Sequence, residues 1–239
     1  MLITAHPDDE SMFFLPTLFN LIKHCNTDDT FHILCLSNGN YDGIGYIREK
    51  ELLKAIMVIS DRIHLTVVLN EKLQDGPNQT WHQDAIVNEI RSKVQYLHGD
   101  LVLITFDEGG ISNHPNHIDT CTGTTKFFEE QSRTNSDSNL QLWKLKTIYN
   151  PLQKYVIIFE IVFRLAKFLL ATFVLTKSKK EQNWKTFFMF HPILTWRAMK
   201  MHHSQFVWYR RLFVLFSCYS YWNDLCIHEM KKYEVKKNH

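Results

Sequence analysis

Cysteine is scarce in this sequence, and its spacing provides no obvious pairs. The 239 residues include five cysteines, an odd number, and no two of them form a CxxC motif. Secreted domains that depend on disulfides carry even numbers of cysteines at characteristic spacings. The pattern therefore argues against a disulfide scaffold and predicts a reducing compartment.

A strong excess of charge is also missing. The formal net charge is +2 at pH 7, whereas nucleic-acid-binding proteins concentrate basic residues on one face, so no nucleic-acid partner is expected. The lysine clusters Lys177–Lys180 and Lys231–Lys237 are interpreted as solvated ends. A signal peptide is not expected either, because the chain opens on a strand-like apolar run instead of a charged segment followed by an apolar one.

The strongly apolar stretch Tyr155–Leu175 is not free of charge. It is about as long as a membrane span, yet it contains Glu160, Arg164 and Lys167. Each of these charges would cost roughly 2.5–3.5 kcal/mol at the centre of a bilayer. Their spacing places all three on one stripe of a helix, which is typical of an amphipathic helix. We therefore expect this helix to lie on a membrane or against the domain, with a true span as the less favoured alternative.

A second apolar stretch, Trp196–Trp222, is rich in aromatic residues and includes Arg210 and Arg211. Its pattern predicts another long helix, which either packs in the core or forms an interfacial surface where rings and arginines meet lipid headgroups. Residues 151–239 are therefore expected to form an apolar, amphipathic helical region that completes the domain and contacts a membrane.

The first half alternates between short apolar runs and segments of helical period. The runs are Leu2–Ala5, Phe31–Ser37, Leu65–Leu69 and Leu101–Phe106, with a further one near Leu142–Ile148; the helical segments are Glu10–His24, Ile44–Ser60 and Trp81–Leu97. This alternation predicts an α/β core over residues 1–150, with a doubly wound, mostly parallel sheet and helices on both faces. Ligands of such folds bind at the carboxyl ends of the strands, where the strand order reverses.

Two polar clusters lie just past the ends of predicted strands. His6, Asp8 and Asp9 follow the first strand in the stretch TAHPDDE, and helix capping is an alternative role for one of these aspartates. His114 and His117 follow the fourth strand in SNHPNH, whose proline suits the first turn of a helix. Because both clusters lie at one edge of the sheet, we expect them to line one crevice. Imidazole and carboxylate ligands suit Zn²⁺, which in catalytic sites has three protein ligands and one open position.

Four motifs, in this order, resemble those of the LmbE-like de-N-acetylase family, and in particular its eukaryotic PIG-L type. They are AHPDDE, IREKEL, TFDEGGISNHPNHID and AMKMHHSQ. The resemblance extends over nearly the whole chain and implies a Rossmann-like fold with a divalent metal, for which zinc is the expected ion. It further implies hydrolysis of the N-acetyl group of N-acetylglucosaminyl-phosphatidylinositol, a glycolipid of glycosylphosphatidylinositol anchor synthesis. The implied location is the cytosolic face of the endoplasmic reticulum membrane.

The resemblance also implies a role for each residue of the two clusters. Carried over by motif, it makes His6, Asp9 and His117 the metal ligands. Asp8 becomes the general base, and a protonated His114 stabilises the substrate oxygen as negative charge develops there.

Arg48 and His202 are the candidates for substrate binding. Arg48 matches a family arginine that is expected to contact substrate, although a helix-surface ion pair with Glu49 or Glu51 fits the sequence equally well. His202 matches the histidine of an HxSQ motif, and a purely structural role is equally open.

Three further positions carry expectations of their own. Asp107 either orients a ligand histidine or caps a turn before a Gly-Gly pair. Asn113 stands where the family usually has glycine, and asparagine tolerates the unusual backbone angles that glycine adopts. Leu69 and Asn70 occupy the region where relatives often carry an acid near the end of the third strand, so no equivalent acid is identified for the substrate pocket.

Two other functions remain open at the level of sequence. The same chemistry could act on a soluble N-acetylglucosaminide. A catalytically dead, membrane-associated binding subunit is the third hypothesis, although an unused site has no physical reason to keep five costly polar groups together.

Overall fold

The structure, a computed structural model, describes residues 1–134, 139–173 and 183–229. Within these residues, seven strands form one sheet in the order β3-β2-β1-β4-β5-β7-β6. The strands are β1 (Leu2–Thr4), β2 (Phe31–Cys35), β3 (Ile63–Val67), β4 (Leu101–Phe106), β5 (Leu140–Leu145), β6 (Asn183–Phe188) and β7 (Trp222–Glu229). The α-helices are α1 (Asp9–Met12), α2 (Leu15–His24), α3 (Gly45–Ile59), α4 (Gln83–Val94), α5 (Gly110–Asn113), α6 (Pro115–Arg133), α7 (Pro151–Tyr155), α8 (Ile157–Phe173), α9 (Pro192–Met201) and α10 (Trp208–Phe216).

The first five strands are parallel, and the strand order reverses between β1 and β4. β2 and β3 extend the sheet on one side of β1, whereas β4 and β5 extend it on the other. The chain segments that follow β1 and β4 therefore leave the sheet toward opposite faces, and a crevice opens between them. This arrangement confirms the predicted doubly wound, mostly parallel sheet.

Helices cover both faces of this sheet. α4 and α6 pack together, with α6 against β1, β4 and β5, while α3 packs against α9. Right-handed crossovers between parallel strands place the two groups on opposite faces. Central strand residues are correspondingly apolar on both faces, and each of the following is at most 1% exposed: Ile3, Leu34, Leu103 and Leu142.

The predicted strands and helices of the first half are present, with shifts of a few residues at their ends. The stretch Glu10–His24 differs, because it contains two helices, α1 and α2, separated at Phe13 and Phe14. Pro16 lies in the first turn of α2, where its missing N–H would have no partner in the helix. Pro16 therefore marks the start of a new helix.

The prediction of one helix over Trp196–Trp222 is wrong. α9 ends at Met201, α10 occupies Trp208–Phe216, and the chain then enters β7. Between the two helices, Ser204 donates its backbone N–H and its hydroxyl to the Glu51 carboxylate, at 2.8 and 2.6 Å. This contact with a distant helix fixes a loop where the local pattern favours a helix.

The C-terminal region also contributes two strands that the sequence pattern did not reveal. β7 pairs antiparallel with β5, and β6 pairs antiparallel with β7. Asn223 of β7 is fully buried; it accepts from the Thr17 hydroxyl and donates to the Phe13 carbonyl. The described part of 151–239 therefore contains helices α7–α10 together with two strands that extend the sheet of the first half, where the sequence predicted a helical region.

The stretch Tyr155–Leu175 is helical over α8, after a break at Val156, but two of its three charges, Glu160 and Arg164, pair on the side of the helix that faces the protein. Glu160 is only 6% exposed, and its Oε1 lies 2.8 Å from Arg164 Nε in an ion pair. The side chain of Lys167 lies outside the described part. A conventional amphipathic helix turns its charges toward water, so α8 has the opposite orientation.

Two compositional expectations can be compared with the described residues. None of the helices described has the length and apolar character needed to cross a membrane. All five cysteines are free thiols, as the absence of pairing predicted. The lysine clusters Lys177–Lys180 and Lys231–Lys237 lie outside the described residues.

Candidate metal centre

The turn after β1 holds its aspartates in an unusual backbone conformation. Asp8 has φ 107°, a region that non-glycine residues rarely adopt. It occupies the N-cap position of α1, yet its side chain makes no capping hydrogen bond. Helix capping therefore does not account for Asp8, and backbone strain of this kind is concentrated at functional sites.

The segment after β4 is equally irregular and positions the second cluster. Ile111 and Asn113 have φ of 65° and 57°, so the asparagine does adopt the left-handed backbone region that glycine favours. Pro115 opens α6 as predicted. His114 is the N-cap residue, and its ring lies 4.7 Å from that of His117, centroid to centroid.

His117 is held so that one ring nitrogen points at the Asp9 carboxylate. Its Nδ1 lies 3.1 Å from the Gly110 carbonyl oxygen, which can only accept, so Nδ1 carries the proton. Nε2 of the neutral ring then has a lone pair, and it lies 3.2 Å from Asp9 Oδ1. Two lone pairs at this distance repel each other unless a proton or a metal cation lies between them.

His6 is oriented by a different set of partners. Its Nε2 lies 3.0 Å from Asp75 Oδ1 and 3.1 Å from Asn116 Oδ1. The Asn116 amide nitrogen donates to the Gln79 carbonyl, which identifies its oxygen as the acceptor that faces His6. Nε2 is therefore the donor, and the Nδ1 lone pair faces Asp9 Oδ2 at 3.9 Å.

Asp9 lies between the two histidines and is 2% exposed. Its Oδ2 accepts from the backbone N–H groups of Ala5 and His6, at 3.0 and 2.8 Å. These bonds leave Oδ1 directed at His117. The carboxylate is thus fixed by the strand end that precedes it, and two imidazole lone pairs converge on it.

These side chains fit a divalent cation. Ring nitrogens of His6, His114 and His117 all lie within 4.8 Å of one another. Nδ1 of His114 is buried and has no hydrogen-bond partner in the described structure, which is costly unless something else occupies that nitrogen. Ring nitrogens of the predicted ligands His6 and His117 therefore lie close to a ring nitrogen of His114, and the Asp9 carboxylate lies 3.2 Å from His117 Nε2.

Burial and neighbouring charges shift the titration of the cluster in opposite directions. Burial lowers the pKa of His6, but its bond to Asp75 and the charges of Asp75 and Asp9 outweigh burial and raise this pKa above its usual range. Burial tends to raise the pKa of Asp9, yet His117 and His6 hold it well below its ordinary value. The pKa of His114 is lowered to about 4 by burial and by the charges of His117 and His6. This lowered pKa favours a neutral His114 at pH 7, whereas the resemblance implies a protonated one, and its role stays a prediction.

Two arginines hold the Asp8 carboxylate. Arg210 Nη1 lies 2.6 Å from Asp8 Oδ2, and Arg48 Nη2 lies 3.4 Å from the same oxygen. Arg210 comes from α10, which is 202 positions away in sequence. The predicted general base is thus oriented by the C-terminal helices as well as by its own turn.

Comparison with known proteins agrees with this geometry. A family model described as PIG-L, GlcNAc-PI de-N-acetylase, matches residues 1–128. The N-acetylglucosaminyl-phosphatidylinositol de-N-acetylase of Bos taurus is 34% identical over 94% of this chain and 81% of its own. The chain belongs to the PIG-L family. A probable enzyme of the same name from Dictyostelium discoideum is 35% identical over 94% of this chain and 91% of its own.

Solved structures support the same fold at much lower sequence identity. A deacetylase of teicoplanin biosynthesis, solved with teicoplanin, has a TM-score of 0.53 and 14% identity, covering 96% of this chain and 99% of its own. A conserved protein from Thermus thermophilus has a TM-score of 0.50 and 15% identity, covering 88% of this chain and 81% of its own. The family member described here thus has the expected LmbE-like architecture.

The two candidates for substrate binding have different surroundings in this PIG-L family member. Arg48 is buried, and it donates to the carbonyl oxygens of Pro7 and Gly39 at 2.7 and 3.0 Å. It lies beside the metal centre, and the alternative of a surface pair with a neighbouring glutamate is wrong. His202 is fully buried, and its Nε2 lies 2.7 Å from Glu10 Oε1. His202 therefore stabilises α1 through Glu10, and none of its side chain is exposed to a substrate.

Asp75 is the residue of this site that the sequence did not reveal. It reaches the centre from the loop after β3, contacts His6 as described, and lies 3.3 Å from Arg48 Nη1 through its Oδ2. Asp107, the acid considered for orienting a histidine, instead accepts from backbone N–H groups of Gly109 and Thr147. The resemblance implies an acid near the end of the third strand, around Leu69 and Asn70. Asp75 lies further along the loop, outside the quoted motifs.

Proposed function

We propose that this protein removes the acetyl group from N-acetylglucosaminyl-phosphatidylinositol, releasing acetate and glucosaminyl-phosphatidylinositol. Membership of the PIG-L family and the names of two relatives that each cover 94% of the chain support this substrate. The observation that carries the proposal is the convergence of His6, Asp9 and His117 at the point where the strand order reverses. The reaction is the deacetylation step of glycosylphosphatidylinositol anchor synthesis.

We further propose that His6, Asp9 and His117 hold a zinc ion. His6 donates its Nε2–H to the Asp75 carboxylate, and His117 donates its Nδ1–H to the Gly110 carbonyl oxygen. Metal-bound imidazoles commonly donate their second ring N–H in this way. Two imidazoles and one carboxylate form a common ligand set of catalytic zinc sites. A bound zinc ion supplies Lewis acidity, which polarises a carbonyl group and lowers the pKa of a bound water molecule to about 7.

The residues around this centre then account for the proton transfers. Asp8 accepts a proton from the attacking water molecule and returns it to the amine nitrogen as the C–N bond breaks. Arg210 and Arg48 hold its carboxylate in place during both steps. The neutral imidazole of His114 has one N–H to donate to the carbonyl oxygen, where negative charge develops.

The cytosolic face of the endoplasmic reticulum membrane is the proposed location. A phosphatidylinositol substrate has its acyl chains in a bilayer, so the enzyme has to work at a membrane surface. The free thiols of all five cysteines fit a reducing compartment on that side.

Acetate release from the glycolipid, measured together with metal content, tests this proposal. Purified wild-type protein should contain stoichiometric metal and release acetate from N-acetylglucosaminyl-phosphatidylinositol. Asp8→Ala should retain the metal and lose turnover, whereas His117→Ala should lose the metal. Equal activity on a lipid-free N-acetylglucosaminyl-inositol would favour a soluble substrate. A metal-free, inactive wild type would indicate a binding subunit.

A further inference from the structure

α8 presents apolar side chains to the outside, whereas its charged residues Glu160 and Arg164 pair on the side that faces β7. Ile158, Val162 and Leu165 are 66, 57 and 57% exposed. On the opposite side, Arg164 bridges Glu160 of its own helix and Asp224 of β7, with N–O distances of 2.8 and 2.5 Å. Pairing partly buried ions on the inner side while exposing aliphatic residues is unfavourable in water, because exposed apolar area is not removed from solvent and the ions lose part of their hydration. This orientation of α8 is favourable where its outer face contacts an apolar phase.

A second apolar face lies on α10, which α7 connects to α8. Tyr155, at the end of α7, packs edge-on against Phe213 of α10, with ring centroids 6.1 Å apart. The Ser217 hydroxyl, just past α10, donates to the Lys154 carbonyl at 3.0 Å. The outer side of α10 carries exposed Trp208, Tyr209, Leu212 and Phe216. Exposed apolar regions of this extent mark interaction surfaces; this one, formed by α8 and α10, is called the α8–α10 surface below.

The charges of α9 and α10 have one sign. Residues 192–216, which span these two helices, contain four lysines and arginines and no acid; one of the four, Arg210, binds Asp8. Exposed cations of α9 and α10 include Arg197, Lys200 and Arg211. A protein partner would need a surface that is both apolar and acidic. An anionic lipid layer offers acyl chains and negative headgroups together, and aromatic side chains with arginines suit that boundary.

We infer that the α8–α10 surface docks on an anionic lipid bilayer and brings the metal centre against it. This inference rests on the proposed function for the reason to dock, since it presents the site to a lipid-linked substrate. The inner side of α10 faces the site: Arg210 binds Asp8, and Phe213 packs on Phe13, whose ring lies 5.9 Å from that of His117. One nine-residue helix therefore joins the docking surface to the catalytic turn.

Vesicle flotation with purified full-length protein tests the docking surface. Wild-type protein should float with vesicles of phosphatidylcholine and phosphatidylserine, less with phosphatidylcholine alone, and less again in high salt. The variant Ile158→Glu/Val162→Glu places two charges on the outer face of α8 and should reduce partitioning at least about tenfold. Leu212→Glu tests the α10 part of the surface in the same way. Tyr96→Glu is the matched control, since Tyr96 is 73% exposed and precedes the amino end of β4, whereas the metal centre lies past the carboxyl ends of β1 and β4.

Further measurements distinguish the possible results. Metal content and Tm of each variant should equal those of the wild type, which excludes misfolding as the cause of lost binding. Acetate release from detergent-dispersed glycolipid reports the proposed activity independently of docking, so an inactive wild type that still floats would refute only the activity. Equal flotation of the control and the α8 variant, or no flotation of any protein, would overturn the docking inference. So would a wild-type dimer in solution that the α8 variant dissociates.

Discussion

Replacing Asp75 by asparagine tests the metal centre through a residue outside the proposed ligand set. The wild-type carboxylate accepts a hydrogen bond from His6 Nε2 at 3.0 Å, and both side chains are at most 10% exposed. This contact is therefore little screened by solvent and salt. Loss of such a partner of a ligand histidine costs about 10–100-fold in metal affinity, which corresponds to about 1.4–2.8 kcal/mol.

The pH dependence of this loss has a defined sign. Protons compete with the metal for the imidazole of His6, and Asp75 helps to raise the pKa of that imidazole. Without the Asp75 charge, the pKa of His6 falls, so proton competition in the variant begins at a lower pH. The affinity difference between wild type and variant should therefore be largest at alkaline pH and shrink toward acid pH.

Zinc titration against a competing chelator, from pH 6 to pH 9, measures both effects. Glu71→Gln is the matched control, because Glu71 is an exposed acid in the same loop. The control should bind zinc like the wild type at every pH. If Asp75→Asn also bound zinc within about twofold of the wild type, the assignment of Asp75 as the partner that orients a ligand histidine would be refuted.

Three other perturbations have expected outcomes. Gly39→Ala should destabilise the fold by about 1–3 kcal/mol in urea unfolding, since Gly39 has φ 69° and a new methyl group would approach Arg48 Nη1 to 2.3 Å; an unchanged midpoint would contradict that close contact. His202→Leu should cost about 3–5 kcal/mol by leaving Glu10 buried without its partner. Burial lowers the pKa of His202, but the charge and hydrogen bond of Glu10 raise it overall, so this cost should be full below about pH 6.5 and decline as pH rises through the raised pKa; a difference that is constant with pH would argue against the ion pair. Chelation with EDTA should abolish acetate release and lower Tm, and zinc should restore both, whereas activity that survives full chelation would exclude a metal requirement.

The local pattern of the sequence determined the first half of the fold and the two clusters of the site. Apolar runs that alternate with helical segments specify strands and helices through contacts a few residues apart, and parallel strands place their carboxyl ends at one edge. His6, Asp9, His114 and His117 follow directly from this rule, because each lies in the segment that follows the carboxyl end of a strand, β1 or β4. The turn residue Asn113 was likewise predictable, since its side chain tolerates the left-handed region that it adopts.

The tertiary structure alone decided the partners of these residues and the form of the C-terminal half. Asp75 reaches His6 from a loop, and Arg210 reaches Asp8 across 202 positions, so no local pattern reports either contact. The strands β6 and β7 form because the edge of β5 needs hydrogen-bond partners, a requirement that is invisible along an aromatic-rich segment. The helical periodicity of the sequence placed charged residues on one face of α8. It could not show whether that face is turned toward the protein or toward the outside. Only the position of Asp224 on β7 turned that stripe toward the protein and the apolar face outward.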